Sequence, residues 1–163
     1  MFDKLRMAVD WRAVGIAGLS SGVLFWLLSL LLSALVFGSP WLFTHMAAAI
    51  LLGEAVLVPP FDFDARLLAV GLIVHLLLSL LFGALVAFAI HRWGILVGVL
   101  GGAALGLALY AINTYSLSYF FPWFYAFRNW TFALGHILYG ALAGGVYELF
   151  EDESYDERYE EAA

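Results

Sequence analysis

The sequence predicts an all-α integral membrane protein: a four-helix bundle with an additional short interfacial or re-entrant helix on its outer side. Three observations point there. Hydrophobic residues make up 64% of the 163 residues and charged residues only 12%, with a mean hydropathy of +0.96, outside the balance of a water-soluble domain. Asp, Glu, Lys and Arg are absent over 13–53, 67–90, 93–127 and 129–147, gaps on the scale of the about 20 residues that carry a helix across hydrocarbon. Within the gaps, Gly and Ser recur at helical spacing, as they do where spans meet backbone to backbone.

The first gap holds a span at about 13–37, ended by Gly38-Ser39-Pro40 because proline cannot continue a helix. The span is longer than a signal-peptide core and lacks a convincing small-residue cleavage site, so it is expected to be retained. The next segment, at about 41–54, is too short to cross and reads as the interfacial or re-entrant helix. Pro59-Pro60 and the "FDFD" of Phe61 to Asp64 read as a turn, with calcium binding by the two carboxylates as the alternative. Further spans are expected at about 67–90, 94–117 and 130–149. The segment 150–163 is acidic, and the stretch from Tyr147 onward holds eight of the thirteen acidic residues. A solvated, flexible tail on the cytoplasmic side is expected.

Basic residues favour cytoplasmic loops. With both termini inside the cell (inner) membrane, Lys4, Arg6, Arg12 and Arg92 are cytoplasmic, and only Arg66 and Arg128 face out. The chain has no cysteine, which excludes disulfides and thiolate metal sites.

Packing faces can be read by counting. Gly94, Gly98, Gly102 and Gly106 form one row, continued by Tyr110; His136, Gly140 and Gly144 form another. Gly71, His75, Ser79 and Gly83 align on the second span, and Gly18, Gly22, Ser29 and Ser33 on the first. Both histidines therefore turn inward. Pro40-Trp41-Leu42-Phe43 and Pro122-Trp123-Phe124-Tyr125 each precede a histidine-bearing span, the trace of a weak internal duplication. The aromatic run from Phe120 to Trp130 reads as an outer belt and helix turn, with Arg128 snorkelling to phosphates, stacking on a ring or rimming an outer pocket.

His75 stands nine residues from Arg66 and His136 eight from Arg128, so both lie roughly 12 to 14 Å inward along their helices. Asn113, His45 and Glu54 belong to the same half of the membrane. Ionisable groups inside spans default to function, which makes these residues a candidate ligand site. Several uses are open. The histidines can hydrogen-bond each other, Asn113 or Tyr139; they can hold a haem b axially; or they can join a zinc site if His45 and Glu54 fold back over the bundle. Ion passage needs polar stations through the full thickness, and the inner half offers mainly Gly and Ser. No phosphate loop, nucleophile motif or catalytic carboxylate pair is present.

The stretches "SPW", "HMAAAILLGEAVLVPP", "ALYAINTYSLSYFFPWFYAFRNW" and "GHILYG" resemble a group of small bacterial membrane proteins of similar length, commonly labelled sodium:proline symporter. The resemblance spans most of 14–147 and implies four spans. True symporters of that name have many more helices, so neither transport nor any catalytic residue is carried over. The sequence reading is a non-enzymatic multi-pass protein acting as an accessory subunit or homo-oligomer with an outer aromatic pocket. Its alternatives are a redox-linked cofactor protein and a small transporter or channel. The expected partners are the lipid bilayer and another membrane protein or a second copy, with no nucleic acid.

Overall fold

The computed structural model describes residues 9–91 and 93–151. Lys4, Arg6, Arg92 and the acidic segment from 152 onward lie outside those residues. The described residues contain no strand and fold as an all-α bundle. Its helices are α1 (Trp11–Phe37), α2 (Trp41–Leu52), α3 (Ala65–Ile90), α4 (Ile95–Ala111) and α5 (Trp130–Phe150).

Each boundary has a local cause. Asp10 accepts the N–H groups of Arg12 and Ala13 at 2.8 and 3.1 Å and so opens α1. Gly38, at φ 77°, ends it by returning its N–H to Ala34 O. Asp64 caps α3 and Asn129 caps α5 in the way Asp10 caps α1. At its far end α4 widens into a π-helical turn, Ile112–Ser116, and then tightens into Leu117–Tyr119. Thr114 and Ser118 hydroxyls donate to the carbonyls four residues back, at 2.7 Å each. Such back-bonding accompanies the change of pitch along this stretch.

Three helical stretches, α1, α3 and α4 extended to Tyr119, are long and apolar enough to cross a membrane. The chain is a membrane protein on that ground. At 21 residues α5 has comparable length, but four glycines, two tyrosines and His136 dilute its apolar content. That dilution belongs to its position, because α5 packs extensively against both α4 and α1. A Cβ placed on Gly102 would run into Gly140 O, one on Gly140 into Gly102 O, and one on Gly106 into His136 O. The two backbones touch. On the other side of the bundle, a Cβ on Gly83 of α3 would come within 2.9 Å of Gly18 Cα on α1. Gly94 stands outside the close row: it precedes α4 at φ 82° with open space around it.

Leucines such as Leu31, Leu35, Leu77, Leu81, Leu96 and Leu100 are exposed on the outside of the bundle, where a lipid-facing surface needs no polar cover. At the end carrying the chain's described termini, His91 pairs with the Glu151 carboxylate, to which Tyr147 OH donates at 2.9 Å. Glu148 accepts from the N–H of Gly94 at 2.9 Å. These contacts tie α5 to the α3–α4 turn.

At the opposite end α2 folds back against α3. A Cβ on Gly71 would meet Thr44 O at 2.8 Å, so this glycine is what allows the approach. The two Pro-Trp segments take different forms: the first becomes the 12-residue α2, the second a short 3-10 stretch, Pro122–Phe127. Trp123 Nε1 donates to Met46 O at 3.2 Å, which seats the aromatic run on α2.

Candidate functional site

α3 and α4 pack sparsely against each other, and a cavity of about 260 Å³ occupies the space. The volume is near the low end of small-molecule sites, roughly 300–1,000 Å³. α3 contributes Val74, His75, Leu78, Ser79 and Phe82. From the α4 side come Leu109, Asn113 and Leu117, and from α5 Phe132, His136 and Tyr139. Phe25 of α1, part of α2 and the rings of Phe121, Phe124 and Phe127 complete the wall. The π-helical turn sets the register at the end of α4, and Asn113 lies within it.

The polar groups are ordered by carbonyls that can only accept. His75 Nε2 donates to Gly22 O at 2.9 Å, so the neutral ring keeps Nδ1 as its bare acceptor. His136 Nδ1 donates to Phe132 O at 2.8 Å, which leaves Nε2 to accept from Asn113 Nδ2 at 3.2 Å. That bond in turn orients the Asn113 amide. Deeper in, Ser79 Oγ donates to Gly18 O at 2.9 Å and Tyr139 OH to Ser79 O at 2.8 Å. Phe25 touches both imidazoles, with centroid separations of 5.7 Å to His75 and 4.8 Å to His136.

The candidate residues therefore divide. His75, Asn113 and His136 line one cavity. His45 does not: its Nδ1 and Nε2 face Val56 O and Asp62 O at 2.8 and 3.0 Å, and it fastens the 53–64 loop to α2. Glu54 is exposed in that loop. Arg128 is exposed too; its Nη1 donates to Tyr125 OH at 2.6 Å, and its guanidinium lies over the Tyr125 and Tyr115 rings. Aromatic rings line the cavity without it. Ser79 and Tyr139, read from the sequence only as a packing position and a hydrogen-bond partner, form the polar floor, and Phe25 between the imidazoles had no signal beyond its place in an apolar span.

The arrangement does not suit an axially held haem. Both Nε2 atoms are engaged, one with Gly22 O and the other with Asn113, and Phe25 lies against both rings. Among the described residues no group of three or more His, Cys, Asp or Glu side chains is placed to hold a metal ion, so His45 and Glu54 add nothing to a zinc site. The geometry suits retention of an apolar molecule against a few fixed hydrogen-bonding atoms.

Compared with protein-family models, curated proteins and solved structures, the chain matches none.

Proposed function

We propose that the chain is a four-span protein of the cell membrane, with α5 as the fourth span and both termini cytoplasmic, that binds an apolar molecule in the cavity between α3 and α4. The observation that carries this reading is the cavity: aromatic walls, a fixed polar lining, and a place between two membrane-length helices that hardly touch. Under this orientation the cavity lies in the outer half of the bilayer, beneath the belt formed by 120–130. Binding is favoured over passage, because α4 and α5 close backbone to backbone at Gly98, Gly102, Gly140 and Gly144, and α1 and α3 at Gly18 and Gly83. The protein acts through occupancy of this site and not through catalysis, as an accessory subunit that reports to, or delivers to, another membrane protein or a second copy. The resemblance to small bacterial membrane proteins adds support for four spans.

Native mass spectrometry of the full chain, extracted in mild detergent, tests the reading. A fraction carrying one lipid-sized adduct is expected, diminished in Leu78→Trp, whose larger ring fills the cavity. Bare chain only, or the same adduct on both proteins, would count against it.

A further inference from the structure

We infer that the cavity selects a neutral apolar molecule bearing a hydroxyl group, whose hydrogen is accepted by His75 Nδ1 or Asn113 Oδ1. The inference rests on the reading that the cavity is a binding site, and adds which head group the site takes.

Lone pairs decide what the site asks of a ligand. His75 spends its only N–H on Gly22 O, so Nδ1 presents an acceptor and no donor. Asn113 turns Nδ2 toward His136 Nε2, which is an acceptor because Nδ1 of that ring donates to Phe132 O. The Asn113 oxygen is thereby turned away from His136. Neither His75 Nδ1 nor Asn113 Oδ1 is bonded within the described residues, and neither belongs to the sealed polar atoms without partners, which are the hydroxyls of Ser21, Ser29 and Thr44. Both residues line the cavity. Two acceptors in an apolar chamber cost free energy until a donor reaches them.

Charge decides what can bring that donor. No Asp, Glu, Lys or Arg lines the cavity, so a phosphate or an ionised carboxylate would be stranded there. The deeper hydroxyls of Ser79 and Tyr139 are already committed to Gly18 O and Ser79 O. A hydroxyl on an otherwise apolar body meets both conditions. Its body is either an aromatic ring, as in a quinol, or an isoprenoid alcohol; the phenylalanine walls accept both.

Calorimetric titration of the full chain in detergent, under reducing conditions, separates these cases. The probes are a short-tailed benzoquinol, its dimethyl ether, farnesol and farnesyl methyl ether. The free hydroxyl forms are expected to bind about tenfold more tightly than their ethers. Asn113→Leu and His75→Phe, each checked for an unchanged elution volume, are expected to shrink that ratio toward one. Tighter binding of the quinol than of farnesol assigns a ring head, and the reverse assigns an aliphatic alcohol. Equal binding of hydroxyl and ether forms by the wild-type chain overturns the head-group inference and leaves the binding site standing. Failure of all four probes to saturate overturns both.

Discussion

Asn113 donates through Nδ2 to His136 Nε2 at 3.2 Å, joining the widened end of α4 to the second turn of α5, while Nδ1 of the same ring donates to Phe132 O. The bond fixes an imidazole tautomer and an amide orientation together. Asn113→Leu removes the donor and leaves the His136 lone pair unmet in a buried setting. A loss of about 1–3 kcal/mol is expected, read as a lower Tm of the detergent-solubilised chain. An unchanged Tm would mean that water or lipid already serves this ring.

The contact between α4 and α5 makes a sharper contrast. Gly102→Ala drives a methyl group into Gly140 O, and Gly140→Ala drives one into Gly102 O, so each is expected to cost about 1–3 kcal/mol by overpacking. Gly15→Ala, where a Cβ meets nothing within 4 Å, is expected to be neutral or to stabilise by about 0.5–1 kcal/mol through helix propensity. Thermal melts of the three variants give the comparison directly.

Helix α3 begins on one carboxylate. Asp64 Oδ1 accepts from Arg66 N at 2.7 Å and Leu67 N at 3.0 Å, and Asp64→Ala is expected to cost about 1 kcal/mol. Asp64→Asn keeps the acceptor and should recover most of that loss. Equal losses in the two variants would show that charge, and not the hydrogen bonds, supports this helix start.

His45 holds a loop and not a ligand. Its ring nitrogens face Val56 O and Asp62 O, whereas α2 itself is seated by Phe43, Met46 and the Gly71 approach. His45→Phe is therefore expected to speed amide hydrogen exchange through 54–64 while leaving exchange within α2 and α3 nearly unchanged. Faster exchange along α2 would show that the histidine positions the helix as well.

More of the bundle than of the site is legible in the sequence. Charge-free gaps located the long helices, because burying an unpaired charge in hydrocarbon is prohibitive. Gly38-Ser39-Pro40 marks the end of the first long helix, which stops at Phe37, whereas the caps by Asp10, Asp64 and Asn129 emerge only from the structure. The inward turn of His75 and His136 comes from counting along a helix, and both line the same cavity. Long-range placement was not legible. Nothing local says that α2 lies along α3, that both His45 nitrogens face carbonyls of the 53–64 loop, or that Arg128 settles on Tyr125. Phe25 touching both imidazoles is likewise a product of tertiary packing, since one phenylalanine in an apolar helix is indistinguishable from its neighbours until the helices are assembled.

An experimental structure of the chain in a lipid nanodisc tests the central claim most directly, because it shows whether the space between α3 and α4 is a site or a void. The expected result is continuous non-protein density against Leu78 and Leu109, with its polar end at His75 and Asn113. A closed gap, with Leu78 and Leu109 in contact and no density between the helices, would contradict the account.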